Sequence, residues 1–201
     1  MLLAGEDTTA NTLAWTLYLL HRCPEAWQAL VAEVDAVLGD AHVVATLAQA
    51  RQLEYVEACV QEAMRLRPVA PLLFLEPNQD VVVGGFDVPK GTSVFCIMRK
   101  PALDPALGSD ATEFSPARWL AGAGEGSRAL HRASMPFGAG PRLCPGRYLA
   151  LVEMKMVLSL IARNYTLESV ATRSGAPPRE RLAFAMFPVG LQMRLVARPG
   201  R

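Results

Sequence analysis

The stretch Phe137-Gly138-Ala139-Gly140-Pro141-Arg142-Leu143-Cys144-Pro145-Gly146 constrains this chain more than any other. Its glycines permit positive φ angles, Pro141 stiffens the loop, and Cys144-Pro145-Gly146 opens a long helical pattern from Tyr148 to Arg163. A cysteine at that place sits near a helix N-terminus, where the dipole and free N–H groups favour thiolate over thiol. Such a thiolate is a metal ligand or a nucleophile. The plain alternative is a glycine-rich turn that buries a structural cysteine before a helix.

The chain has 201 residues, 51% of them hydrophobic, enough for a sizeable core in one or two domains. A net charge of +1 gives no ground for a nucleic-acid partner or a strongly anionic membrane surface. Cys23, Cys59, Cys96 and Cys144 show no paired metal spacing, which points to a reducing, cytoplasmic setting. The opening residues lack the pattern of a secretory signal, and no apolar run approaches the ~18 residues of a membrane span.

Taken in order, Leu13, Leu17 and Leu20 with Trp15 and Tyr18 recur at helical spacing from Leu2 to Arg22, before Pro24. Pro24 starts a second helix that stops at Gly39, Thr46 can cap a short helix from Leu47 to Gln52, and a further helix runs from Glu54 to Leu66. Val81 to Val88 reads as a hairpin about Gly84-Gly85, followed by a strand from Ser93 to Met98. Leu120 to Met135 reads as a loop in which His131 and Arg132 are solvated. After Cys144, Leu149, Val152, Met156 and Leu160 form the expected core face of the long helix, and Arg147 and Lys155 read as solvated charge. The tail reads as short antiparallel strands, Tyr165 to Val170, Leu182 to Phe187 and Leu191 to Val196.

Three further motifs accompany the cysteine loop. They are Ala4-Gly5-Glu6-Asp7-Thr8-Thr9, Glu62-Ala63-Met64-Arg65, and Phe114-Ser115-Pro116-Ala117-Arg118-Trp119. Singly each is weak: Asp7 and Thr8 are ordinary first-turn residues, and a Glu three before an Arg on a helix face is common. Together and in this order, with F-G-x-G-x-R-x-C-x-G complete, they resemble the cytochrome P450 family of haem-thiolate monooxygenases.

The resemblance covers essentially the whole chain. It implies a mainly α fold with small β-sheets, of the α+β kind, as one partial domain over 1–201: the C-terminal portion of the family's fold. Cys144 would be the axial ligand of haem b iron, its thiolate pushing electron density toward O–O cleavage. Phe137, Gly138, Gly140, Arg142 and Gly146 would complete the haem-binding set, with Arg142 on a propionate. Asp7 and Thr8 would relay protons to iron-bound oxygen beside a kink opened by the glycine and threonine. Glu62, Arg65 and Arg118 would form a buried structural lock beneath the loop.

Ala4, Val69, Ala70, Leu72, Leu73 and Val189 are the candidate substrate contacts, with Phe187 and Pro188 beside the last. A core strand is an equal alternative for the segment after Pro68. All these positions are apolar, so the substrate is expected to be lipophilic. The family's other partners would be dioxygen and an electron-donor protein, a ferredoxin or flavoprotein reductase, with NAD(P)H entering only through that donor; Arg147 and Lys155 are positions that an acidic donor could meet.

The chain also departs from the family. Many members place an arginine or histidine after the E-x-x-R helix to bind a propionate, where this chain reads Phe74-Leu75-Glu76; Arg99 and Lys100 come later. Met1 falls inside the expected distal helix, so the helices that cover the pocket in relatives are not in this sequence. Two readings follow: a haem-thiolate monooxygenase inserting one oxygen atom into a lipophilic substrate, represented by its C-terminal portion, or a non-catalytic remnant binding haem weakly or not at all. A thiolate-haem isomerase or dehydratase is a third, set back by the intact Asp7-Thr8 pair.

Overall fold

The computed structural model describes residues 2–199; Met1, Gly200 and Arg201 lie outside them. Four helices come first: α1 (Leu2–His21), α2 (Pro24–Leu38), the short α3 (Leu47–Gln52) and α4 (Glu54–Leu66). Their ends follow from local chemistry. Pro24 occupies the first turn of α2, and Gly39 leaves it with a φ of 55°. The Thr46 hydroxyl accepts the Gln49 N–H at 3.2 Å, and the Gln49 amide oxygen accepts the Ala45 N–H at 2.9 Å. Glu33 of α2 accepts the Tyr55 and Val56 N–H groups at 2.7 and 2.9 Å, setting an acid at the positive end of α4.

Next come β1 (Leu72–Leu75), β2 (Val81–Val83), β3 (Phe86–Val88), β4 (Val94–Ile97) and the single turn α5 (Arg99–Ala102). They are followed by α6 (Glu125–Ala133), α7 (Arg147–Asn164), β5 (Tyr165–Thr172), β6 (Arg179–Leu182), β7 (Met186–Val189) and β8 (Leu191–Ala197). Among the described residues the sheets are all two-stranded and antiparallel: β1 with β4, β2 with β3, β5 with β8, β6 with β7. The fold is therefore mainly α with small sheets.

The core lies where α1, α2, α4 and α7 meet, about Trp15, Leu30, Val56 and Leu158, each at most 1% exposed. A leucine buried so completely contributes roughly 1.5–3 kcal/mol. Polar clamps fasten the ends. Asp35 of α2 takes Arg163 from the end of α7 at 2.7 Å and Arg198, just past β8, at 2.8 Å.

The structure corrects five expectations. Residues 120–135 are not one loop, because α6 forms within them: Glu125 in its first turn pairs with Arg128 and Arg132, and Leu130 is fully buried. His131 on that helix is half-buried rather than solvated, whereas Arg132 is exposed. The span from Leu182 to Phe187 is not one strand: it holds the end of β6, the turn at 183–185 and the start of β7.

On α7 the buried stripe is Leu151, Met154, Leu158 and Ile161, while Leu149, Met156 and Leu160 are 64%, 44% and 39% exposed. The helix is apolar almost all round, so periodicity marks two stripes and packing chooses one. Lys155, expected in solvent, is buried in the chosen stripe, with its Nζ 2.5 Å from Glu57 and donating to the Ala50 carbonyl at 3.0 Å.

Candidate functional site

Cys144 stands exposed at the end of a tightly wound loop. Its N–H donates to the Phe137 carbonyl at 2.9 Å, closing the loop on itself. Inside, the Gly138 N–H reaches the Met135 carbonyl at 2.9 Å and the Leu143 N–H reaches that of Gly140 at 3.1 Å. Gly138 and Gly140 hold φ angles of 74° and 62°, in the left-handed region that glycine enters freely. Phe137 packs against the core and fixes the loop's base. At its far end Gly146 precedes α7, and a Cβ there would stand 3.9 Å from the Cys144 sulfur.

Arg142 is exposed. Close to Cys144 in the chain, Leu143, Tyr148 and Leu149 are 40%, 73% and 64% exposed, so one soft donor is flanked by exposed apolar side chains. One thiolate leaves the other coordination positions of a metal to a group that brings its own donors. An iron-bearing macrocycle with an apolar periphery suits such a ligand and such exposed apolar neighbours.

Glu62 is buried completely and receives five donors. Its Oε1 accepts from Arg65 Nη2 at 2.8 Å, Arg118 Nε at 2.9 Å and the Ser115 N–H at 3.0 Å; its Oε2 accepts from Arg65 Nε and Trp119 Nε1, both at 2.8 Å. Burial alone would raise the carboxyl's pKa, but the hydrogen bonds and charge of Arg65, with Ser115 and Trp119, outweigh it and hold it below the usual range. Arg65 also reaches the Ala102 and Glu113 carbonyls at 2.7 and 3.0 Å, and Arg118 reaches Asp110 Oδ2 at 2.9 Å. Burial opposes the Arg118 charge; Glu62 and Asp110 reverse that and raise its pKa. The cluster thus brings together Glu62, Arg65 and Arg118, and adds Trp119, Ser115 and Asp110. Trp119 was signalled by its place beside Arg118; the other two had no sequence signal.

Asp7 and Thr8 lie half-buried on α1, which runs unbroken through Gly5. The Thr8 hydroxyl donates to the Ala4 carbonyl at 2.5 Å, and the Asn11 side chain donates to the Asp7 carbonyl at 2.7 Å. Among the described residues no hydrogen bond or ion pair joins either to the Cys144 loop. Thr12 and Thr16 repeat the back-bond at 2.8 Å each, a pattern that bends helices.

Ala4 is exposed, Val69 is buried, Ala70 is exposed, and Leu72 and Leu73 are half-buried in β1. The Met186 N–H donates to the Val69 carbonyl at 2.7 Å, which brings β7, with Phe187, Pro188 and half-buried Val189, onto the Val69 segment. Helix α1 packs against the same strand. Val69 and Val189 therefore share one region, whereas the β1–β4 face with Phe74 and Phe95 turns outward, 64% and 60% exposed.

The cytochrome P450 family model matches residues 1–195. Human 25-hydroxyvitamin D-1 alpha hydroxylase, mitochondrial, is 39% identical over 184 residues, 90% of this chain and 35% of that protein. Mouse cytochrome P450 4V2 is 37% identical over 166 residues, 82% of this chain and 31% of its own length. The crystal structure of a cytochrome P450, CYP102L1, superposes with a TM-score of 0.86 at 31% identity, covering 98% of this chain and 44% of that one. This chain thus spans about a third of the length of the curated relatives it matches.

Proposed function

The chain belongs to the cytochrome P450 family of haem-thiolate monooxygenases, and on that premise we propose that it carries the thiolate half of a monooxygenase site acting on a lipophilic substrate. The observation that carries this reading is the exposed Cys144 on a loop closed by the Phe137 carbonyl and turned by two positive-φ glycines. Cys144 would ligate the iron of haem b, and Arg142 would pair with a propionate. Gly146 leaves room beside the sulfur, Gly138 and Gly140 turn the loop, and Phe137 braces it. When bound, haem supplies the iron at which dioxygen is reduced, with electrons from a ferredoxin or flavoprotein reductase that draws on NAD(P)H.

The chain's own residues then have defined tasks. Asp7 holds a proton at its carboxylate, and the Thr8 hydroxyl passes it on by turning from the Ala4 carbonyl. Val69, Leu72, Leu73 and Val189, with Ala4 and Ala70, exclude water and favour an apolar substrate. Glu62, Arg65 and Arg118 hold the backbone beneath the loop and take no part in chemistry. The four unpaired thiols fit a reducing, cytoplasmic setting, and among the described residues no helix is long and apolar enough to cross a membrane.

A second reading, a polypeptide that keeps these motifs yet holds haem weakly or not at all, is favoured by the exposed stripe Leu149, Met156 and Leu160 on α7. The test is a reduced, carbon-monoxide-treated spectrum of the haem-reconstituted chain. The red-shifted Soret band of thiolate ligation, lost in Cys144→Ala, is the expected result. No haem uptake would leave only the second reading for this chain.

A further inference from the structure

Two arginines from different elements converge on one carboxylate of the β6–β7 hairpin. Arg67, the residue that ends α4, places Nε 3.2 Å from Glu180 Oε1, and Arg99, which begins α5, donates from Nη1 to Glu180 Oε2 at 2.5 Å. Glu180 lies in β6 directly opposite Pro188 of β7. Two residues before Pro188, the Met186 N–H makes the hydrogen bond to the Val69 carbonyl. The ion pairs and that bond therefore fasten the same hairpin to the same corner, one from each strand.

The arginines are themselves held. The Arg67 guanidinium lies 5.6 Å from the ring centroid of Trp15, a buried residue of α1, and donates to the Leu66 carbonyl at 3.1 Å. Burial, and then the charge of Arg99 beside it, make Arg67 easier to deprotonate than an ordinary arginine, and Glu180 opposes both. Two guanidinium groups thus lie near enough to repel, and one carboxylate between them turns repulsion into a bridge. Glu180 is about a quarter exposed in these pairs, so salt must weaken the bridge without abolishing it. Apolar packing adds to the fastening at this corner, through Ala185, buried in the hairpin's turn, and through α1 against β7.

We propose that Glu180 is a positioning residue: its double ion pair to Arg67 and Arg99 holds β7 against Val69 and so sets where Phe187, Pro188 and Val189 stand. What that placement encloses, a substrate wall, rests on the function proposed above; the clamp does not.

The test is hydrogen exchange followed by mass spectrometry on the full chain, comparing wild type with Glu180→Gln, close in shape but uncharged. The peptide carrying Met186 should exchange at least about fivefold faster in the variant, while peptides from α4 and from β5 and β8 keep their rates. Raising salt should speed that peptide in wild type and leave Glu180→Gln unchanged, because the amide has no charge to screen. Equal exchange in the two proteins at low salt overturns the proposal, and so does acceleration spread into α4, which would make Glu180 a support of the whole fold. Should Glu180→Gln fail to fold, Arg99→Gln and the wild-type salt series decide by the same criteria. Haem uptake measured on the same samples separates the two readings: local acceleration without haem keeps the clamp and sinks the haem site, and uptake without acceleration does the reverse.

Discussion

Trp119 and His131 stack face to face, ring centroids 4.0 Å apart and 13° from parallel, while the Trp119 indole N–H donates to the buried Glu62. The stack joins α6, whose end leads into the loop at Phe137, to the ion cluster on α4. His131 Nε2 is buried without a hydrogen-bond partner. Burial is the main reason that the imidazole stays neutral to lower pH than usual; Glu62 pulls the other way, and the charges of Arg118 and Arg65 reinforce burial.

That arrangement predicts an acid sensitivity. A pKa lower in the folded than in the unfolded chain means that the unfolded chain takes the proton more readily. The stability from neutral His131 is therefore full above its unfolded value of about 6.5 and is lost as pH falls through the folded one. Glu62, also lowered, acts in a separate window that begins near its unfolded value of 4.5. The urea midpoint should decline as pH falls below about 6.5, and His131→Phe, which keeps the stack without titrating, should flatten that part of the curve. Parallel curves for the two proteins would clear His131 of the effect.

The Glu62 cluster predicts asymmetric costs. Glu62→Gln leaves Arg65 and Arg118 facing each other in a buried site, a loss of about 3–5 kcal/mol. Asp110→Asn removes a partner whose side chain is 49% exposed, and should cost no more than about 1 kcal/mol. Urea denaturation of both variants checks the ranking; near-equal losses would mean that Asp110 shares the buried charge rather than trimming its edge.

The long helices were legible because proline, glycine and threonine mark their ends: Pro24, Gly39 and Thr46 each sit where the sequence places them. The β2–β3 hairpin was legible through Gly84-Gly85, whose φ angles of 58° and 85° suit a tight turn. Helix α6 was hidden because its single fully buried leucine gives no apolar period to count, and its support is Glu125 pairing with Arg128 and Arg132. Lys155 was hidden for a different reason. Its burial depends on Glu57 and the Ala50 carbonyl, about a hundred residues earlier in the chain. Of the candidate site, the meeting of Glu62, Arg65 and Arg118 was legible in their motifs, whereas Ser115 and Asp110 in that cluster, like the two arginines on Glu180, are products of packing.

Gly138 offers a test of how much the thiolate loop depends on backbone shape. At a φ of 74°, an alanine is strained wherever its side chain goes, and its Cβ would also stand 3.7 Å from the Arg142 carbonyl oxygen. Gly138→Ala should cost roughly 1–2 kcal/mol and lower the share of haem bound through thiolate, read from the reduced carbon-monoxide spectrum. Gly124→Ala is the control: its φ of −68° suits any residue, and its Cβ would meet open space away from the thiolate loop. Equal thiolate fractions in the two variants would show that the loop tolerates the strain and that glycine at 138 serves something else.

Gly5 sets stability against function. It lies inside α1 with open space where a Cβ would go, so Gly5→Ala should stabilise the helix by about 0.5–1 kcal/mol. The same methyl group would stand one turn from Thr8, whose hydroxyl back-bonds to Ala4 at that point of the helix. If Asp7 and Thr8 pass protons there, the variant should be more stable yet spend more electrons per product formed than the parent site. Higher stability with unchanged coupling would place the proton path elsewhere; lower stability would show that the glycine supports a bend in α1. Denaturation and the ratio of electron consumption to product, measured side by side, separate these outcomes.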